Sequence, residues 1–161
     1  MTQKKTDWFF NSITAMQGDM FAYAFSITKS REDAEDAVHN AVIKAFDNLP
    51  KLRSRAKIRP WLFRILRNEC LLSMRFRRRF SPVTEDIPAE QKDLETSIDL
   101  SIAVGGLSEE LREIVVLYYK IGYSTGEIAQ ILDIPRGTVM SRLARARELI
   151  GFSLKGGMIK S

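Results

Sequence analysis

The sequence contains a single cysteine, a single histidine and few residues that break helices. Cys70 excludes an intramolecular disulfide, and its apolar helical context predicts a packed thiol in a reducing compartment. His39 has no partners at a metal-ligand spacing, and no glycine-rich loop is present that could cradle a phosphate. We therefore predict that the protein is not an enzyme and that it has no catalytic residues, no metal and no cofactor.

Long apolar runs are also missing from the 161 residues. No stretch approaches the roughly 20 apolar residues that a membrane-spanning helix needs. No signal-type apolar region follows residues 1–7. We expect a cytoplasmic protein that is not itself a membrane protein.

Charge is abundant and unevenly distributed. The net charge of +5 favours an anionic partner. Residues 51–79 contain eleven lysines and arginines against one acid, Glu69, whereas residues 85–99 contain six acids against Lys92. The basic segment is therefore the candidate nucleic-acid surface.

Apolar residues recur at helical spacing along most of the chain, which predicts an all-α fold. Residues 8–16 and 21–28 are predicted to form one or two amphipathic helices with aromatic core residues. These core residues are Phe9, Phe10, Phe21, Tyr23 and Phe25. Ser30 is predicted to cap the next helix, which Pro50 stops. The exposed start of that helix is acidic, which by itself indicates only dipole stabilisation and solvation.

Residues 51–59 form a predicted basic loop without apolar periodicity, and Pro60 is predicted to start the helix that follows. The core face of that helix begins at Trp61, and its end carries an arginine run at residues 75–79. This combination indicates a nucleic-acid surface, because cations engage phosphates and aromatic rings stack on exposed bases. A solvated basic face is the alternative, although eleven cations would repel one another without an anion.

A segment rich in acids and prolines, residues 80–104, is predicted to be a flexible linker between two helical modules. The modules are residues 1–79 and residues 105–155. In the second module, Ser108 is predicted to cap a helix that ends at Gly122.

Residues 123–150 have the pattern of a helix-turn-helix. Ser124 and Glu127 form a predicted capping box, Pro135 breaks the first helix, and a second helix begins near residues 137–138. The non-core face of the second helix and its N-terminal end carry mostly small and basic side chains: Arg136, Thr138, Ser141, Ala144 and Arg145, with Glu148 on the same face. This composition suits a helix in the DNA major groove. A helical hairpin in a core with a solvated arginine face is the alternative.

Together the two modules resemble the extracytoplasmic-function group of bacterial sigma factors, the minimal two-domain form of the sigma-70 family. The resemblance covers roughly residues 16–150. The segments that carry it are residues 33–36, residues 60–68, Arg75, residues 127–129, residues 137–139 and residues 141–147. Their order and spacing across two modules with a charged linker are specific to this family.

The resemblance implies an alternative-type sigma factor that binds core RNA polymerase and directs promoter recognition, DNA melting and transcription initiation. The first module would bind the polymerase clamp helices and melt the minus-ten element, with loop 51–59 capturing a flipped base. The second would read the minus-thirty-five element as duplex. The implied partners are core RNA polymerase, promoter DNA and an anti-sigma factor.

Three groups of candidate residues follow from the resemblance. The candidates for polymerase binding are Asp33, Glu35, Asp36 and Asn40. The candidates for minus-ten DNA binding are Arg53, Ser54, Arg55, Arg59, Trp61, Arg64 and Asn68. The candidates for minus-thirty-five DNA binding are Arg136, Thr138, Ser141, Arg142 and Arg145. Met140 departs from the family pattern, because many relatives have a lysine or arginine there.

The alternative function is a stand-alone helix-turn-helix transcription regulator with a sensory N-terminal domain. It predicts a ligand pocket or a phosphoacceptor in residues 1–100 and operator binding without polymerase. Residues 1–100 have no sheet-like pattern suited to a receiver domain. Their charge is concentrated on one loop and one helix rather than around an apolar cavity.

Overall fold

A computed structural model describes the backbone of residues 2–80 and 104–156 and the side chains of residues 2–79 and 104–151. The described residues form helices and short turns and contain no β-strand, which confirms the all-α prediction. The chain divides into two compact units, Met1–Asp86 and Ile87–Ser161. The predicted linker at residues 80–104 lies almost entirely outside the described residues.

The first unit is built from three helices, α1 (Gln3–Thr28), α2 (Arg31–Asp47) and α3 (Ile58–Phe80). Residues 8–16 and 21–28, which were predicted to form one or two helices, both lie in the single helix α1. Thr2 caps its start and Lys29, in the left-handed region with φ 57°, ends it. Ser30 then caps α2 by accepting a hydrogen bond from the Asp33 amide at 3.1 Å, as predicted.

The core of this unit lies where the three helices meet. Its buried members include Phe9, Met20, Tyr23, Ala34, Ala37, Ala41, Ala45, Leu62, Phe63, Leu66 and Cys70. The alanines of α2 allow close approach of the neighbouring helices. The core assignment of Phe10 is wrong, because its side chain is 44% exposed. Phe10 stacks on Phe46 at the rim, with 5.6 Å between ring centroids.

The connection from α2 to α3 contains two 3₁₀ turns, Leu49–Lys51 and Arg55–Lys57. The predicted start of α3 at Pro60 is wrong by two residues, since α3 begins at Ile58. Proline is tolerated inside the first turn because amides there have no acceptor within the helix. The basic loop is therefore shorter than predicted, and Arg59 already lies on the helix.

The second unit contains α4 (Glu109–Val115), a π-helical extension (Val116–Ile121), α5 (Thr125–Leu132) and α6 (Arg136–Gly156). Its core joins these elements through Ile114, Leu117, Ile128, Ile131, Val139, Leu143 and Ala146. The Leu117 carbonyl accepts hydrogen bonds from the amides of Gly122 and Tyr123 at 3.0 and 2.9 Å. Gly122, at φ 94°, ends the extension, because this backbone region favours glycine.

The helix-turn-helix is present as predicted, with small shifts at its ends. Ser124 and Glu127 form both bonds of the capping box. Asp133 turns the chain in the left-handed region at φ 60°, and α6 begins at Arg136, earlier than predicted. No helix in the described ranges is long and apolar enough to cross a membrane.

Candidate functional site

The predicted polymerase-binding residues lie at the start and middle of α2, whose opposite face is the buried alanine stripe. Glu35, Asp36 and Asn40 are exposed. Asp33 differs, because its Oδ2 lies 3.0 Å from Arg77 Nη1 and its side chain is only 24% exposed. Glu35, Asp36 and Asn40 are therefore the exposed members of the predicted docking set, and we call them the acidic surface.

The basic loop, residues 52–57, presents exposed side chains from Arg53 to Lys57. Ser54 begins its 3₁₀ turn, and its hydroxyl accepts a hydrogen bond from the Ala56 amide at 3.2 Å. The Arg55 guanidinium carbon lies 4.6 Å from the ring centroid of Trp8 on α1. The Arg55 side chain thus contacts the bundle although it is exposed, as Arg53 is.

The remaining minus-ten candidates lie on α3. Trp61, Arg64 and Asn68 are spaced for one helix face. This face is opposite the buried Leu62 and Leu66, so the core face begins at Leu62 and not at Trp61 as predicted. Arg64 and Asn68 are exposed and Trp61 is half-buried, while Arg59 is exposed in the first turn, next to the basic loop. This outer face of α3 can therefore present cations, an amide and part of an indole ring together.

The single acid of the basic segment 51–79, Glu69, forms an intramolecular ion pair. Glu69 is 8% exposed, and its Oε2 lies 2.6 Å from Lys44 Nζ on α2. Asp33 and Arg77 link the same two helices. Asp33, early in α2, pairs with Arg77, late in α3, whereas Lys44, late in α2, pairs with Glu69, near the middle of α3. The two helices are therefore antiparallel. Both pairs lie at the contact between α2 and α3, so the outer surfaces of these helices face away from it.

In the second unit, the predicted base readers lie on the exposed side of α6. Ser141 and Arg145 are exposed and Thr138 is half-buried. The Ser141 hydroxyl lies 3.2 and 3.3 Å from the carbonyls of Gly137 and Thr138, to which it can donate. Its oxygen lone pairs are left to accept a hydrogen bond. Arg145 Nη1 donates to Glu148 Oε1 at 3.1 Å, and both side chains are mostly exposed.

The other two arginines connect α6 to its neighbours. Arg136 Nε donates to the Thr125 hydroxyl at 2.8 Å, which joins the first turns of α5 and α6. Arg142 Nη2 lies 3.9 Å from Glu110 Oε2 on α4, and its side chain is 30% exposed. These arginines flank the exposed side of α6 that carries Ser141 and Arg145, rather than occupying its centre.

One arrangement in this unit was missed by sequence reasoning. Arg147 Nε donates to the Tyr119 hydroxyl at 2.6 Å, and its guanidinium lies 5.9 and 5.8 Å from the ring centroids of Tyr118 and Tyr119. This hydrogen bond and the Coulombic interaction with Tyr119 raise the pKa of Arg147. Tyr119 lies on the π-helical extension, so the α-helical period gave no signal for this pairing.

The described ranges contain no group of three or more histidine, cysteine, aspartate or glutamate side chains that could hold a metal ion. Their charged side chains are instead arranged as an acidic surface on α2, a basic surface on the loop and α3, and a basic helix in the second unit. This arrangement suits binding to a protein and to nucleic acid.

Comparisons with known proteins agree in both units. Residues 13–80 match the family described as Sigma-70 region 2, and residues 100–150 match the family described as Sigma-70, region 4. The chain is 33% identical to the ECF RNA polymerase sigma factor SigM of Mycobacterium tuberculosis over 141 residues, which cover 83% of this chain and 72% of that protein. It is 30% identical to the ECF RNA polymerase sigma-E factor of Haemophilus influenzae, covering 88% and 85% of the two chains.

Among solved structures, the sigma factor RpoE of Bartonella quintana, determined in complex with the anti-sigma factor NepR, is similar with a TM-score of 0.78 and 28% identity. That similarity covers 91% of this chain and 96% of the RpoE chain. The fold, the two matched regions and the relatives agree: the chain belongs to the ECF group of the sigma-70 family of RNA polymerase sigma factors.

Proposed function

We propose that the chain is an alternative-type sigma factor that binds core RNA polymerase and directs promoter recognition, DNA melting and transcription initiation. The observation that carries this role is the occurrence of a region 2 match followed by a region 4 match in one chain. We assign residues 1–79 to the region 2-like module, residues 80–104 to a linker and residues 105–155 to the region 4-like module. The role involves no reaction by the chain's own side chains.

Polymerase docking is assigned to the acidic surface of α2, with Asp33 beside it. The exposure of Glu35, Asp36 and Asn40 supports this assignment. The buried alanines on the opposite face fix the helix in its unit, so these three side chains are presented without reorganisation of the backbone. Charged groups at such a surface mainly accelerate encounter and fix orientation.

Strand opening is assigned to the basic loop and the outer face of α3. Extruding a base costs a few kcal/mol of lost stacking and pairing, which contacts to the base and its phosphates must offset. Arginines can neutralise phosphates, the Trp61 ring can stack, and the Asn68 amide can both donate and accept hydrogen bonds. The grouping of Trp61, Arg64 and Asn68 on one face supports this assignment.

Duplex reading is assigned to α6, with Ser141 and Arg145 as base readers and Arg136 and Arg142 as backbone contacts. Arg145 must leave Glu148 to reach a base. An exposed ion pair contributes about 0–1 kcal/mol, so releasing Glu148 costs little. A bidentate arginine–guanine contact discriminates against the wrong base by about 1–3 kcal/mol. Ser141 can accept from the amino group of cytosine or adenine.

We also propose that the protein acts in the cytoplasm and is restrained there by an anti-sigma factor. The similarity to RpoE, a sigma factor solved with such a partner, supports this proposal. An inhibitor would need to cover the acidic surface or α6, over more than about 1,000 Å². Affinity capture of the protein from uninduced cells should recover a stoichiometric inhibitor. Recovery of only free or polymerase-bound protein contradicts this control and indicates control by synthesis.

The stand-alone regulator is separated from the sigma factor by how duplex binding depends on polymerase. The full chain should be used to select sequences from a random duplex library at physiological salt, with and without core polymerase. We expect weak, strongly salt-dependent binding by the chain alone and sequence selection only with polymerase. Tight selection of one motif by the chain alone would favour the regulator.

A further inference from the structure

Trp8 lies in α1, five residues before the segment that matches Sigma-70 region 2 begins at residue 13. Its side chain is half-buried. The Arg55 guanidinium lies over its ring at 4.6 Å from the centroid, closer than the 5.8 Å that separates Arg31 from Phe21 in the same unit. A tryptophan face is the strongest aromatic partner for a cation.

The backbone hydrogen bonds described within the basic loop are local. The Ala56 amide donates to the Ser54 hydroxyl at 3.2 Å, and the Lys57 amide donates to the Ser54 carbonyl at 3.0 Å. Both shape the turn, but neither fixes the loop relative to the bundle. The contact between Arg55 and Trp8 does so, because it joins the loop to α1 across 47 positions of sequence.

We propose that Trp8 is a positioning residue for strand capture. This proposal rests on the strand-opening role proposed for the basic loop. Its indole holds Arg55, and through Arg55 the basic loop, in the arrangement that receives the unpaired strand. A loop ordered before binding loses less conformational freedom when it engages its ligand. Trp8 thus strengthens strand capture without touching the DNA.

The position of Trp8 allows this role to be separated from general stability. The neighbouring Phe9 is fully buried and packs in the core, whereas Trp8 is half-buried. Phe10 provides a matched control, since it is an aromatic residue of the same helix that stacks on Phe46 rather than on the loop. The variants are W8L, W8F and F10L.

The first measurement uses the free full chain and needs no polymerase. Limited trypsin digestion, with cleavage sites mapped by mass spectrometry, reports how often the loop opens. W8L should accelerate cleavage after Arg53, Arg55 and Lys57 about three- to tenfold, as expected for loss of a cation–π contact. F10L and W8F should stay within about twofold of the parent chain. Unchanged loop cleavage in W8L would overturn the proposal.

The second measurement uses the reconstituted holoenzyme on a promoter identified by transcript mapping. W8L should slow open-complex formation about three- to tenfold while affinity for core polymerase is unchanged, and W8F should restore most of the rate. The double variant W8L/R55M should be no slower than R55M. Additive losses would overturn the proposal and indicate that Trp8 acts on a base itself. Failure of the parent chain to open DNA would instead contradict the proposed function. In that case, the trypsin digestion alone tests whether Trp8 holds the basic loop in place.

Discussion

Asp33 Oδ2 lies 3.0 Å from Arg77 Nη1, which joins the first turn of α2 to the arginine-rich end of α3. The same carboxylate lies at a helix N-terminus, where negative charge is stabilised by the helix dipole. The acid that opens the predicted docking helix therefore has a structural partner, whereas Asp36 and Asn40 further along are exposed.

We predict that D33N and R77Q each lower the free energy of unfolding by about 0.5–1 kcal/mol, because the pair is partly exposed. Urea denaturation measures the loss. If the two side chains act through each other, the double variant should lose less than the sum of the single losses. Strict additivity would show that the 3.0 Å contact contributes nothing to stability.

Charge reversal on the acidic surface should separate docking from folding. We predict that E35K/D36K weakens binding to core polymerase by at least tenfold, because two anions facing the partner become cations. Stability should change by less than about 1 kcal/mol, since both side chains are exposed. Sedimentation with core polymerase and urea denaturation measure the two effects. Unchanged polymerase affinity would remove these residues from the docking surface.

Removal of cations from the basic loop and the first turn of α3 should affect strand opening, which follows docking. We predict that the triple variant R53A/R55A/R59A binds core polymerase normally but fails to open promoter DNA, because the strand loses its phosphate contacts. Permanganate reactivity of unpaired thymines measures opening. The control K4A/K5A/K29A removes the same charge elsewhere in the unit and should open DNA. If the loop variant also loses polymerase binding, the division between the two surfaces is wrong.

On α6, we expect Arg145 to contact a base and Arg142 to contact the DNA backbone. R145A should cost about 1–3 kcal/mol at one base pair and relax selectivity there. R142A should weaken binding uniformly over all sequences and reduce its salt dependence, as for a phosphate contact. Holoenzyme binding to a set of single-base promoter variants measures both patterns. A uniform loss in R145A would mean that Arg145 also contacts only phosphate.

The sequence predicted the features of this fold that depend on local chemistry. The capping box of Ser124 and Glu127 and the cap at Ser30 were predicted because their partners lie three residues away. The all-α fold was predicted because apolar residues recur at helical spacing along most of the chain. These features were sufficient to place α2 and the helix-turn-helix along the chain.

Features that depend on distant partners were not predictable in this way. Phe10 is a different case, because periodicity does separate it from Phe9: the buried face of α1 runs through Phe9, Ile13 and Met16, and Phe10 was assigned to the core on its aromatic character alone. The position of Arg55 depends on Trp8, and that of Arg147 on Tyr119 across 28 residues and a π-helical extension. Charge counts predicted a basic surface but not which cations have intramolecular partners.

The central claim is that this chain gives core RNA polymerase promoter selectivity. Its most direct test is transcription in vitro from sheared genomic DNA of the source organism, with core polymerase alone and with the full chain added, followed by mapping of transcript 5′ ends. We predict that the chain creates discrete start sites preceded by two shared sequence elements at a fixed spacing. A distribution of start sites identical to that of core polymerase alone would contradict the account.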